Sequence, residues 1–327
     1  MFFTTGASNL SANIGPFTPV DLPSLVSFLN RALTGHRHYL PIREAEFAER
    51  VLGQPDFDPA GLILARQDGR IVGGVHALRP QTSTLLYEEP RHHIAWLVVD
   101  PEARGHGLGT DLLTAAEDYL YYCPVYFAAQ SAPFYGIVER LWAPWYGSTE
   151  HMAISAVHDK ALIDWLALRG FGVVEAGDLS VTAMLHGRER PSDPGLTARG
   201  LRCVPISERN PWDGAEPFFQ LRRWDRNGAR PYHGLVIADD HHAVGNIVWY
   251  PLPDGLTAAV AWLGIERQYR GLRFGAYLLD RALAAMAGRG YLYVEAHVHA
   301  RRQPEALALF KHRGFQVLDY WVNLVKT

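Results

Sequence analysis

The chain has 327 residues, 48% hydrophobic and 20% charged, with a formal net charge of −3. That length suits two domains of ordinary size, and the near-balanced charge leaves no basic footprint of the kind nucleic-acid binders present. No apolar run approaches the roughly 20 residues of a membrane span, the N-terminus lacks the pattern of a signal peptide, and the two cysteines, Cys123 and Cys203, read as free thiols of a reducing cytoplasm.

Residues 1–15 are small and polar and are expected to fray. Pro19–Leu33 predicts a helix capped by Asp21, with Leu22, Leu25, Val26 and Leu29 on one face. Arg43–Leu52 predicts a second helix. Gly61–Arg66 and Ile71–Leu78 read as strands joined by the turn Gln67-Asp68-Gly69-Arg70. Ile94–Asp100 is a valine-rich strand, after which Leu108, Leu112, Leu113, Ala116 and Leu120 recur at helical spacing. Val125–Ala129 is a candidate parallel strand. Ser131–Ser155 is rich in aromatics and carries Tyr135, Glu139, Arg140, Glu150 and His151; it reads either as a cover over core or as a wall of an acceptor pocket. Ala161–Arg169 is a helix, and Phe171–Glu175 with Leu179–Leu185 are strands.

His186–Thr197 is polar, holds two prolines and has no periodicity, which makes it an interdomain linker. The expected domains are therefore 1–185 and 198–327, joined by 186–197. Beyond it, Leu201–Ile206, Gly234–Ala238, Ala243–Trp249, Thr257–Ile265 and Tyr291–Ala296 read as strands. Ala215–Trp224 and Glu305–His312 read as helices, and Phe315–Val325 as a final strand pair.

Between strand and helix lies Arg104-Gly105-His106-Gly107-Leu108-Gly109. Glycines there leave backbone N–H groups unobstructed, and the first-turn amides of a helix have no internal partner. Their dipoles add partial positive charge, so the turn suits a phosphate or pyrophosphate. The spacing is neither a dinucleotide fingerprint nor a Walker loop. A second copy follows: Arg104 aligns with Arg270, an offset of 270 − 104 = 166. Ala95-Trp96-Leu97 precedes the first turn and Ala261-Trp262-Leu263 the second. Arg169-Gly170-Phe171 and Arg313-Gly314-Phe315 end matching helices further on. Paired landmarks in one order make a tandem repeat of a whole α/β (α+β) domain, each a mixed central sheet flanked by helices.

This turn, after its V-x-D-P strand end, resembles motif A of the GCN5-related N-acetyltransferase (GNAT) superfamily. The duplication is similar in organisation to tandem members such as mycothiol synthase. The resemblance implies acetyl-CoA as cofactor, held in the first half by Val98, Val99, Arg104, Gly105, His106, Gly107, Leu108, Gly109 and Thr110. In the second half it implies Ile265, Arg270, Gly271, Arg273 and Gly275. Arg273 stands where the family has glycine, which favours the first half for cofactor binding. Direct acyl transfer from a thioester to an amine is implied, with the backbone N–H of Val99 or Val98 polarising the carbonyl. The family's tyrosine acid is replaced by Leu166 and Phe310, and its asparagine by His158 and Gln303.

Val99 apart, the catalytic candidates are Tyr135, Glu139 and His158, because the acceptor amine must lose a proton. Glu295, His297 and His299 share one face of a continuing strand; they read as surface polar residues rather than a metal site, and His92-His93 read likewise. The expected function is a cytoplasmic acetyl-CoA-dependent N-acetyltransferase acting on a primary amine of a small molecule or peptide, with no nucleic-acid or membrane partner. The alternative is a non-catalytic acyl-CoA-binding or sensing protein with degenerate sites. A nucleotide-binding module is a third option.

Overall fold

The computed structural model describes residues 12–36, 39, 41–54, 57–79, 91–121, 124–128, 154–206, 233–252 and 254–327. In chain order the elements are β1 (Asn13–Pro16), α1 (Leu22–Ala32), α2 (Glu44–Phe47, continued by a π-helical turn Ala48–Leu52), β2 (Leu62–Gln67), β3 (Arg70–Leu78), β4 (His92–Val99), α3 (Leu108–Leu120), β5 (Val125–Phe127), β6 (Ile154–Ser155), α4 (Lys160–Ala167) and β7 (Gly172–Met184). Then come β8 (Arg202–Pro205), β9 (His233–Ala238), β10 (Ala243–Pro251), β11 (Thr257–Ile265), α5 (Phe274–Gly288), β12 (Tyr293–His299), α6 (Pro304–His312) and β13 (Gln316–Lys326). The predicted helix Ala215–Trp224 lies outside the described residues. The chain divides into two compact units: Met1–Glu139 with Trp165–Val174 and Asn323–Thr327, and Arg140–Asp164 with Glu175–Val322.

In the first unit β1 to β4 form an antiparallel run and β5 joins β4 in parallel. Leu324–Lys326 of β13 lies antiparallel to β5. Asn13–Pro16 is thus a paired strand, where fraying was expected: its residues sit opposite Ile63–Arg66. Asp21 does not cap α1 with its side chain. Its carboxylate instead takes the Thr18 N–H and hydroxyl and an ion pair from Arg66 at 2.7 Å. Helix α3 buries Leu108, Leu112, Leu113, Ala116 and Leu120, the residues whose spacing predicts it. It approaches β3 closely because Gly73 has no side chain; a Cβ there would sit 2.9 Å from Leu112.

In the second unit β8, β9, β10 and β11 are antiparallel in sequence, β12 joins β11 in parallel, and β7 flanks β12. Val181, Ile237, Ile247, Leu278, Leu283, Val294 and Phe310 belong to one apolar core. Two expectations are corrected. Gly172–Met184 is one strand rather than two, with Gly177 at φ 133° inside it, and Gln316–Lys326 is one strand rather than a pair. Segment 186–197 is tied down: Asp193 accepts N–H groups from Gly195, Leu196 and Thr197, and Leu196 is 3% exposed.

Candidate functional site

The same strand geometry occurs in both units. β4 pairs with β5 only over His92–Ile94, yet continues to Val99. β11 pairs with β12 only over Thr257–Val260, yet continues to Ile265. Each pair therefore splits partway along. A bulge sits at the split, just after the last paired residue: His76 faces Trp96 and Ala77 faces Ile94, so Ala95 is extra; Val248 faces Trp262 and Trp249 faces Val260, so Ala261 is extra. A bulge reverses which edge a strand's amides face. Asp100 N–H donates to Val72 O at 2.9 Å and Glu266 N–H to Val244 O at 2.9 Å. By alternation, the Val99 and Ile265 amides point the other way, into the gap that the departing strand leaves.

The turns follow directly. Asp100 pairs with Arg31 at 3.0 Å and accepts the Glu102 N–H, which anchors the strand end. Arg104 folds back so that its Nε donates to Val99 O at 3.0 Å; Arg270 does the same to Ile265 O at 3.1 Å. Gly105 and Gly107 adopt φ of 81° and 88°, and Gly271 and Arg273 adopt 83° and 65°. Among the described residues, the amides of Gly105, His106, Gly107, Leu108 and Gly109 have no acceptor. Bonding resumes at Thr110 and Asp111, both to Gly107 O. Gly105, His106 and Gly107 are exposed, and a Cβ on Gly105 or Gly107 meets nothing within 4 Å. Open space in front of consecutive unspent N–H groups at a helix start fits a diphosphate. The amides of Gly271–Gly275 likewise have no acceptor among the described residues.

The flanks differ between the units. Arg169 donates to Thr110 Oγ1 at 2.8 Å and lies over the Trp165 ring at 3.9 Å, so a cation stands beside the first turn. Its counterpart Arg313 is neutralised by Asp280 at 3.1 Å. Gly109 is positioned against Val99 and Trp165, and Gly275 against Ile265 and Leu309. Val98 is buried beside Val99. Leu166 and Phe310, where a proton-donating tyrosine was sought, are buried core residues.

Tyr135 and Glu139 lie outside the described residues. His158 is largely exposed; its Nε2 is 3.9 Å from the fully buried Asp319, which also takes the Ser155 hydroxyl at 2.8 Å. The surface reading of Glu295, His299 and His93 is corrected: they are 3%, 9% and 1% exposed, because each sits on a strand covered on both faces. His297 pairs with Asp178 at 3.2 Å, a partner 119 positions away that no local pattern reveals. No group of three or more metal-binding side chains occurs among the described residues, and among them no helix is long and apolar enough to cross a membrane.

Comparison with known proteins agrees with this geometry. The family model for the acetyltransferase (GNAT) family matches residues 26–122 and 203–315, once in each half of the chain. The mycothiol acetyltransferase of Beutenbergia cavernae is 30% identical over 233 residues, 67% of this chain and 72% of that protein. In fold, a tandem GNAT protein from the clavulanic acid biosynthesis pathway superposes with a TM-score of 0.63 at 16% identity, covering 96% of this chain and 98% of that one. A GCN5-related N-acetyltransferase from Sphaerobacter thermophilus gives 0.57 at 16% identity, covering 96% and 95%. With two copies of the split strand pair, the turn and the helix, and with both copies matched, the chain is an acyltransferase that belongs to the acetyltransferase (GNAT) family.

Proposed function

We propose that this protein is an acetyl-CoA-dependent N-acetyltransferase that passes an acetyl group directly to a primary amine. The observation that carries the reading is the run of five amides, Gly105–Gly109, with no acceptor among the described residues. That run suits the diphosphate of CoA, and Arg169 adds a cation at its edge. Bound acetyl-CoA supplies the activated acyl group. The Val99 amide, turned into the gap, is the donor for the acyl oxygen, a role worth a few kcal/mol in barrier when such a donor is preorganised. Likeness to a protein named mycothiol acetyltransferase supports a small-molecule acceptor over a peptide. A cytoplasmic setting goes with this reading, as does the free thiol of Cys203.

Calorimetric titration with acetyl-CoA tests the reading, with desulfo-CoA fragments as controls and an amine panel read by thiol release. Absence of binding by the wild-type protein overturns it. A second reading, a non-catalytic acyl-CoA sensor, draws on the burial of Leu166 and Phe310, neither of which offers a hydroxyl. Tight binding with no thiol release on any amine selects the sensor.

A further inference from the structure

β7 and β12 run antiparallel, with Glu295 opposite Thr182, His297 opposite Ser180 and His299 opposite Asp178. Val294, Ala296 and Val298 enter the apolar core together with Leu179, Val181 and Ala183. Strand alternation therefore puts Glu295, His297, His299, Asp178 and Ser180 on the opposite face. That face is buried as well: Asp178 is 4% exposed and Ser180 is fully buried. Burying two carboxylates and a histidine costs free energy that an apolar set avoids.

The two histidines do different work. His299 is built into the turn that follows: its Nδ1 accepts the N–H groups of Arg301 and Arg302 at 3.2 Å each. His297 is held by a carboxylate, Nε2 to Asp178 Oδ1 at 3.2 Å. The last paired residue of β12 is Ala296, so His297 is the first residue beyond the split from β11. At the matching position the first unit has no such group. Its last pair is Ile94 with Phe127, and the next residue is Ala128; Tyr126 stands where the second unit has Glu295.

We propose that His297, oriented by Asp178, takes the proton from the acceptor's ammonium group in the second unit, with Glu295 attracting that ammonium. The assignment rests on the N-acetyltransferase reading and takes acetyl-CoA at the second turn, where the Gly271–Gly275 amides also have no acceptor among the described residues and the Ile265 amide stands in the place of Val99. The ammonium gives one proton to the neutral imidazole, whose positive charge then faces Asp178, and the freed lone pair forms the new C–N bond as the C–S bond breaks. The second amine proton leaves with the thiol sulfur, and His297 returns its proton to solvent, so charge and atoms balance. His297 is the catalytic residue here and Asp178 a positioning residue. Other ionisable groups on this side of the sheet are Glu295 and His299 on β12, Tyr250 on β10, and Asp319 on β13 with His158 beside it.

The test uses the whole chain, acetyl-CoA and a panel of glucosamine, ethanolamine and trialanine, read by thiol release across pH. Wild-type kcat/KM should fall at acid pH with a slope of one. His297→Gln should lower kcat/KM about 100-fold and flatten that limb. Asp178→Asn should move the limb, and the His297 ring titration followed by NMR, about one pH unit lower, because a carboxylate partner favours the charged ring. The NMR arm reads the pair independently of turnover. Thiol release whose acid limb survives His297→Gln, or a His297 titration that Asp178→Asn leaves in place, overturns the assignment alone. No thiol release on any amine overturns the acetyltransferase reading and the assignment together.

Discussion

Arg104 reaches back across its own turn to donate Nε–H to the Val99 carbonyl, and Arg270 makes the same bond to Ile265. The bond ties the strand end, whose amide faces the gap, to the turn with the unspent amides. A hydrogen bond with a charged donor contributes about 1.5–3 kcal/mol. Arg104→Met should weaken acetyl-CoA binding at least tenfold if the first turn holds the diphosphate, and Arg270→Met should do so if the second does. Calorimetry on both variants checks this, and unchanged affinity in both would remove the turns from the binding site.

Gly107 and Arg273 occupy the same left-handed helix-start position, at φ of 88° and 65°. A non-glycine residue there costs roughly 1–2 kcal/mol. Gly107→Val should therefore lower Tm by several degrees and also fill the open space before the amides, abolishing binding at that turn. The reverse change, Arg273→Gly, relieves backbone strain but adds chain entropy to the unfolded state, so its net effect on stability should stay within about 1 kcal/mol. Thermal melts with and without acetyl-CoA separate the two effects.

The paired landmark arginines have parted in role. Arg169→Gln should weaken acetyl-CoA binding in a salt-dependent way with little change in Tm, since the Arg169 guanidinium bonds only Thr110 Oγ1 and the Trp165 carbonyl among the described residues. Arg313→Gln should do the opposite, losing the Asp280 pair and up to about 1 kcal/mol of stability while leaving affinity alone. Equal effects of the two variants on affinity would contradict this division.

His76 and His93 are buried in the first unit, and burial lowers each to a pKa of about 3. The folded midpoints lie below the unfolded value of about 6.5. Between those two values the unfolded chain binds protons that the folded chain refuses. Stability is thus greatest above the unfolded midpoint and falls as pH drops, by up to about 1.4 kcal/mol per pH unit for each histidine. His93→Leu should lose less Tm between pH 7 and pH 5 than the wild type. An equal loss would mean that the His93 ring can charge in the folded state.

What was legible in the sequence was local. Leu108, Leu112, Leu113, Ala116 and Leu120 announce a helix because burial follows the helical period. Arg104 and Arg270 disclose the repeat because each closes its turn within five residues of the strand end. The strand Asn13–Pro16 escaped notice because its stability comes from Ile63–Arg66, about fifty positions on. Glu295 and His93 read as surface residues because polarity alone does not tell which strands are covered on both faces.

The amino-acid sequence by itself determined that a GNAT-like unit occurs twice, and where each glycine or arginine turn sits, since turn chemistry depends on neighbours in the chain. Only the tertiary structure decided the rest. It set Asp178 against His297 and Ser155 against Asp319, 119 and 164 positions apart, and it gave the last residues, Asn323–Thr327, to the first unit. It also turned the Val99 amide into the gap through an extra residue at Ala95. The physical reason is that strand register and partner choice are settled by burial over the whole sheet, a sum over distant residues that no short window of sequence contains.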